Sequence, residues 1–254
     1  MNETGRLVKK RIAAVGIIPV RYESSRFRGK VLADIGGKPM IQHVWEKAQK
    51  AALLDDLIVA VDDERVMNAV RSFGGKAVLT STKHRSGTDR INEAVKKIET
   101  DVVINIQSDE PMLEPAMIDA LITALSDDEN LAMVTLRKRI HDAAQIQDPN
   151  IVKVVVDNND YAIYFSRSPV PYNRSASTAA IVYKHIGLYG YRKSFLSVFS
   201  NLPVSLLENI EGLEQLRALE NGYKIKALET QNDTIGVDTP EDLEKVRLVL
   251  TSAG

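Results

Sequence analysis

The sequence predicts an α/β protein with a mostly parallel sheet and a smaller mixed-sheet lobe. Three observations predict it. In the first half, short apolar runs alternate with amphipathic helical patterns, and parallel strands need such crossover helices between them. In the second half, strand-like segments follow one another with only turn signals between, which implies antiparallel pairing. No long Gly-, Ser- or Pro-rich linker divides the halves. Residues 12–254 are therefore expected to form one domain, with the lobe within about 133–200 and residues 1–11 as a solvated extension.

The elements follow from local pattern. The run 12–20 (IAAVGIIPV) reads as a buried strand. A helix is expected over 39–52, with Pro39 in its first turn and Ile41, Val44, Trp45 and Ala48 at helical spacing. A strand at 57–61 precedes a helix at 63–73, closed by Gly74-Gly75. Then come a strand at 76–79, a helix at 88–98, a strand at 102–106 and a helix at 114–125. Beyond these, 133–138, 151–157 and 162–166 read as strands, with Asn158-Asn159-Asp160 turning between the last two. Residues 168–177 hold two prolines and read as a loop, and 183–191 as a strand. One long helix is expected over 205–220, with Leu206, Ile210, Leu213, Leu216 and Leu219 near one face and Asn221-Gly222 as its stop. A strand at 224–228 and a helix at 240–250 close the chain.

Composition narrows function. The 254 residues include no cysteine, which excludes a disulfide scaffold, a thiolate zinc site and a cysteine nucleophile, and suits a reducing compartment, here expected to be the cytoplasm. With 33 basic against 34 acidic side chains the net charge is −1, so no nucleic-acid partner is expected. The first apolar run is less than half of the roughly 20 residues that a membrane span needs. Arg6, Lys9, Lys10 and Arg11 precede it, but it leads into Arg21-Tyr22-Glu23 with no small-residue cleavage site, so neither a signal peptide nor membrane insertion is expected.

The chemistry is expected at the carboxyl ends of the strands, where open α/β sheets bind ligands. Residues 21–30 (RYESSRFRGK) follow the first strand and hold four basic side chains with serines and a glycine. Such a loop can wrap a polyphosphate with backbone N–H groups and point charges, although a charge run is also what an ordinary solvated loop carries. Neither a Walker A sequence nor G-x-G-x-x-G is present, which removes P-loop ATPases and nicotinamide oxidoreductases from the front rank. Asp109 and Glu110 end the fourth strand, where a carboxylate could hold Mg²⁺ or simply open a turn before Pro111. In 236–242 (GVDTPED), capping of the last helix explains Thr239, Pro240, Glu241 and Asp242, and leaves only Asp238 over. The Ser86-Gly87-Thr88-Asp89-Arg90 segment opens a helix and could offer N–H groups to a ligand. His185 and Tyr189 share one strand face, and Arg167 at a strand end could grip a carboxylate. Glu214-Gln215 would otherwise be the wet face of the long helix. No G-x-S-x-G elbow or H-E-x-x-H helix occurs.

Taken in order, the segments IIPVRYESSRFRGK, GGKPMIQHVWEKA, SGTDRINEAV, NIQSDEPM, YFSRSPVP, HIGLYGYR, LENIEGLEQLRALENG and GVDTPEDLEKV resemble the CMP-Kdo synthetases, the 3-deoxy-manno-octulosonate cytidylyltransferases, from about 17 to 246. The resemblance implies a nucleotidyltransferase-type, Rossmann-like sheet whose mixed lobe pairs two copies as a homodimer. It implies joining of CTP and 3-deoxy-D-manno-octulosonate (Kdo) into CMP-Kdo and pyrophosphate for lipopolysaccharide biosynthesis. Arg21, Ser24, Arg26 and Lys30 would hold the triphosphate, with Ser86 and Gly87 near the nucleotide. Asp109 and Asp238 would carry Mg²⁺, and with Lys30 form the catalytic set. Gln107, Arg167, His185, Tyr189, Glu214 and Gln215 would line the sugar-acid pocket. Three positions depart from the family pattern. Arg28 and Val31 replace loop prolines, and Ser108 replaces a glycine beside the metal aspartate, which would strain the backbone if φ there is positive, or intrude on a ligand. These departures keep two alternatives in view: a cytidylyltransferase for another acidic sugar, such as 8-amino-Kdo or a sialic-acid-like sugar, and a weakened CTP or sugar-acid binding protein.

Overall fold

The computed structural model describes residues 12–23, 27–175 and 180–252. In chain order the elements are β1 (Ala14–Pro19), a 3-10 turn (Lys30–Leu32), β2 (Asp34–Ile35), β3 (Lys38–Pro39), α1 (Met40–Ala48), β4 (Asp56–Val61), α2 (Glu64–Ser72), β5 (Ala77–Leu79), α3 (Gly87–Ala94), β6 (Val102–Asn105), α4 (Pro115–Asp127), β7 (Met133–Ile140), α5 (Ala143–Gln147), β8 (Lys153–Val156), β9 (Ala162–Ser166), β10 (Val182–Arg192), α6 (Lys193–Asn201), α7 (Leu206–Glu211), α8 (Leu216–Glu220), β11 (Lys226–Glu229) and α9 (Pro240–Ser252).

The main sheet runs β11-β7-β10-β6-β1-β4-β5. Within it β4, β5 and β6 run parallel to β1 or its neighbour, and β11 runs parallel to β7. Strand β10 alone runs the other way, between β6 and β7. The mostly parallel α/β fold read from the sequence is therefore the fold observed. All six residues of β1 are buried, as a strand covered on both faces requires.

One pairing decides where the site lies. Tyr189 of β10 sits opposite Asn105, the last residue of β6, so everything in β10 before Tyr189 projects past the carboxyl edge. There β10 pairs with β8, and β8 with β9, which builds the mixed region beside the carboxyl edge. The β10–β7 register slips on the way. Ile186 faces Leu136 and Tyr189 faces Thr135, so Gly187 and Leu188 have no partner residue on β7.

Four differences from the sequence reading have local causes. Pro39 is the extended N-cap of α1 rather than part of its first turn. Helix α1 stops at Ala48, where tighter i to i+3 bonds finish the turn through Ala51. Helix α6 is formed by KSFLSVFSN, poor helix formers whose Phe195, Leu196 and Phe199 are buried, so packing overrides propensity. The long helix expected over 205–220 is two short ones. Gly212 adopts φ +63, and Leu213 N–H bonds Glu208 C=O at 3.1 Å, a Schellman-type ending that turns the chain before α8. The amphipathic spacing of the leucines continues across this break, which is why periodicity alone reads one helix.

Gly212→Ala should lower stability by about 1–2 kcal/mol, since a Cβ is disfavoured at this left-handed φ, and Gly212→Asn by less. Urea unfolding of the two variants checks this, and equal midpoints for wild type and Ala would contradict the reading.

Candidate active site

The carboxyl edge gathers the chemistry-bearing loops. The turn after β1 owes its shape to Gly29, at φ +68. Its N–H bonds Tyr22 C=O at 3.1 Å, and an added Cβ would lie 3.3 Å from the Tyr22 hydroxyl oxygen. Buried Val31 then fastens the 3-10 turn to the core, so Lys30 is delivered from an anchored position. Lys30 Nζ donates to Asp109 Oδ2 at 2.7 Å, to Val237 C=O at 2.9 Å and to Asp238 Oδ1 at 3.3 Å. Val237 N–H in turn bonds Asp109 C=O at 2.8 Å. Asp238 is presented by the start of α9, where Thr239 Oγ1 accepts from Asp242 N–H at 3.2 Å and Asp242 Oδ2 from Thr239 N–H at 3.2 Å, a reciprocal cap.

The basic loop also reaches across the cleft. Arg21 Nη2 donates to His84 C=O at 2.9 Å and Arg85 C=O at 3.0 Å. Beneath it lies a buried pair. Arg90, 1% exposed, donates to Asp62 Oδ2 at 2.9 Å and Thr80 Oγ1 at 2.6 Å, while Asp62 Oδ1 accepts from Tyr22 N–H at 3.0 Å. Burial holds the Arg90 guanidinium below its ordinary pKa, opposed by Asp62. Ser86 caps α3, its Oγ accepting from Asp89 N–H at 3.1 Å, and Gly87 lets the helix start approach Pro19. Arg21, Lys30, Ser86, Arg90, Gln107 and Ser108 line a cleft of about 300 Å³. A groove of about 760 Å³ along α3 and β5 is larger but shares no residue with the expected site, so size does not locate the chemistry.

Beside the cleft stands a mostly buried polar region. Tyr189 is buried, its ring 5.3 Å from that of His185. Thr135 Oγ1 lies 2.9 Å from His185 Nε2. Burial pushes His185 down to about 3 and raises Tyr189 well above its ordinary value. Thr88 Oγ1 donates to Glu214 Oε2 at 2.6 Å, and burial raises the Glu214 carboxyl. Gln215 is the buried N-cap of α8, not the wet face of a long helix. Gln107 Nε2 donates to Asn105 Oδ1 at 3.2 Å. Arg167 is turned to the backbone, with Nε donating to Glu211 C=O at 2.7 Å and Nη1 to Pro149 C=O at 3.0 Å. It braces the turn that carries Glu214 and Gln215. Ser24 and Arg26 lie outside the described residues.

Residues 15–225 match the cytidylyltransferase family. The 3-deoxy-manno-octulosonate cytidylyltransferase of Geotalea uraniireducens is 52% identical over 240 residues, 91% of this chain and 96% of that protein. Its counterpart from Thermodesulfovibrio yellowstonii is 52% identical over 246 residues, 92% and 96% of the two lengths. The chain belongs to the 3-deoxy-manno-octulosonate cytidylyltransferases. It is thus a nucleotidyltransferase, and the family expected from the ordered motifs is the family found. A solved CMP:2-keto-3-deoxy-manno-octonic acid synthetase complexed with CTP superposes with a TM-score of 0.91 at 48% identity, over 95% of this chain and 100% of that one. A 4-diphosphocytidyl-2C-methyl-D-erythritol synthase from Anaerococcus prevotii, at 13% identity and a TM-score of 0.62, shares the fold.

The departures from the cytidylyltransferase pattern are accommodated. Among the described residues Asp160 is the only non-glycine with positive φ, so Ser108 is unstrained, and its side chain reaches the cleft wall. Arg28 pairs with Glu23 at 2.7 Å, which offsets the added charge. Sequence reasoning missed Asp62, Arg90 and Thr135 as supports of the site. Asp62 was findable by the rule that picked Asp109, a carboxylate directly after a parallel strand.

His185 gives a pH dependence. In the unfolded chain its imidazole takes up a proton near 6.5, whereas in the fold it does so only near 3. Between those values the unfolded state binds more protons, so stability falls as pH is lowered through the window. Urea midpoints at pH 7 and pH 5 should drop more in wild type than in His185→Gln, and equal drops would contradict the assignment.

Proposed function

We propose that this cytidylyltransferase joins CTP to Kdo at the carboxyl-edge site, giving CMP-Kdo and pyrophosphate. The observation that carries the reading is the convergence of Asp109 and Asp238 on one cationic atom, Lys30 Nζ, beside a cleft walled by Arg21, Ser86 and Arg90. Two carboxylates that already share a cation suit Mg²⁺, whose remaining positions phosphate oxygens and water can fill. Among the described residues no cluster of three metal-ligating side chains occurs, which fits an ion held partly by substrate. Asp109 and Asp238 would hold Mg²⁺, which when bound supplies charge to a phosphate oxygen and acidity to the attacking hydroxyl.

The chain's own residues account for the rest. The anomeric hydroxyl of the sugar attacks the α-phosphorus, and the bond to pyrophosphate breaks. Such transfer depends on positioning and charge neutralisation. Lys30 and Arg21, with Ser24 and Arg26 of the same loop, would meet the charge that gathers on pyrophosphate. Ser86 and Gly87 at the start of α3 would face the nucleotide. Gln107, Arg167, His185, Tyr189, Glu214 and Gln215 would line the sugar-acid pocket, Arg167 acting there through the turn that it braces.

The wider reading follows the family. The chain works as one domain with the mixed-sheet lobe as the pairing face of a homodimer, on which Ile163 and Ile181 lie exposed on and beside the lobe's strands. Among the described residues no helix is long and apolar enough to cross a membrane, and use of CTP in a cysteine-free chain suits the cytoplasm.

Asp109→Asn and Asp238→Asn should each lower turnover on the order of a hundredfold or more with the fold retained. Pyrophosphate release with CTP, Mg²⁺ and Kdo, run beside circular dichroism, measures this. Near-normal CMP-Kdo formation by both variants would sink the metal assignment, and faster reaction with 8-amino-Kdo or a sialic acid than with Kdo would move the sugar assignment.

A further inference from the structure

The slip in β10 creates a proton-bookkeeping problem at one buried hydroxyl. Thr135, fully buried on β7, places Oγ1 2.9 Å from Leu188 C=O, 3.1 Å from Ile186 C=O and 2.9 Å from His185 Nε2. A threonine hydroxyl has one proton to give. If it went to Nε2, two carbonyl oxygens would face Oγ1 at contact distance with no proton between them. If it goes to a bulge carbonyl, Oγ1 can only accept from the ring, and Nε2 must carry a hydrogen. The second arrangement pairs the ring nitrogen and leaves one carbonyl rather than two facing Oγ1 without a proton, so it strands fewer buried polar groups. The ring's other nitrogen, Nδ1, then bears a lone pair, and among the described residues none donates to it.

We propose that Thr135 is a positioning residue that fixes His185 as the Nε2–H tautomer, so that Nδ1 accepts a hydrogen bond from a hydroxyl of the sugar acid instead of pairing with its carboxylate. The proposal rests on the reading that His185 lines the sugar-acid pocket. A neutral acceptor suits the surroundings. Phe165 meets the ring edge-on at a centroid distance of 5.0 Å and Tyr189 packs beside it, and among the described residues no charged side chain is hydrogen-bonded to it. The imidazole also stays uncharged well below neutral pH. Its contribution to recognition is therefore directional, favouring a sugar with a donor hydroxyl at that point.

The test uses the full chain labelled with ¹⁵N-histidine. Of its four histidines, His185 is assigned by the signal lost in His185→Gln. Long-range ¹H–¹⁵N spectra should show Nε2 protonated and Nδ1 unprotonated in His185. Thr135→Val should lose that single tautomer and raise KM for Kdo about tenfold, the scale of one hydrogen bond, with kcat and KM for CTP little changed. Thr135→Ser should restore both tautomer and KM. An Nδ1-protonated ring in the wild type, or a Thr135→Val protein with wild-type tautomer and KM, would overturn the role of Thr135 while leaving the pocket reading intact. An unchanged Kdo KM in His185→Gln would overturn the hydroxyl contact together with the pocket reading. Should Thr135→Val fail to fold, the wild-type and Thr135→Ser spectra still decide the tautomer.

Discussion

The three bonds of Lys30 Nζ tie together parts of the chain that are far apart in sequence. Asp109 is 79 residues away and Asp238 is 208, yet both meet the ammonium, with Val237 C=O beside them. The side chain of Lys30 is only 13% exposed, so its charge is not left to water. Two carboxylates held this close would repel each other if no cation stood between them. The loop after β1, the loop after β6 and the entry to α9 are thereby locked at one point of the sheet edge. A further backbone bond, Val237 N–H to Asp109 C=O, closes the ring without involving charge. The geometry of the candidate site is thus held by the same contacts that close the fold at this edge.

The second organising constraint is the single reversed strand. Because β10 runs against β6, its first half has no parallel neighbour to end beside and continues past the edge. That overhang is what brings His185 level with the loop carrying Gln107. An all-parallel sheet would end at Asn105 and leave the sugar side of the site without a wall. The bulge is the local cost of the overhang, and Thr135 meets it by giving its one hydroxyl proton to a carbonyl of the slipped segment.

Much of this was legible in the sequence because it is written in local patterns. The buried strands β1, β4 and β6 announce themselves as apolar runs and the basic loop stands out after the first of them, whereas position only marked the two aspartates and the family resemblance gave them a role. What was not legible depends on long-range register. Nothing near Gly212 in the sequence separates a stop from a tolerated glycine, since the leucine spacing carries on beyond it. Helix α6 is hidden because its phenylalanines favour helix only once β10 and α3 supply the surface they pack on. Arg90 reads as one more charge at a helix start, and only the fold shows that Asp62 and Thr80 take it into the interior. Thr135 sits in an ordinary strand pattern, and its hydroxyl acquires a task only from a bulge on the neighbouring strand.

The site divides by polarity in a way that net charge conceals. On one side Arg21, Lys30, Arg85 and Arg90 line the cleft, and the partners of Arg21, Lys30 and Arg90 there are backbone carbonyls, three aspartates and the Thr80 hydroxyl. A polyphosphate can replace some of those acceptors, because arginine and lysine exchange one set of oxygens for another without a change of protonation. On the other side Thr88, Thr135, His185, Tyr189 and Gln215 are largely withdrawn from water, and burial drives His185 and Tyr189 toward their neutral forms. Neutral, fixed hydrogen-bonding groups discriminate by direction and by the cost of leaving a partner unpaired, whereas the cationic side attracts any polyanion. On the proposed reading, affinity for phosphate and selectivity for the sugar would therefore be physically separable, and the two sides meet at Gln107, Ser108 and Asp109, in the loop after β6.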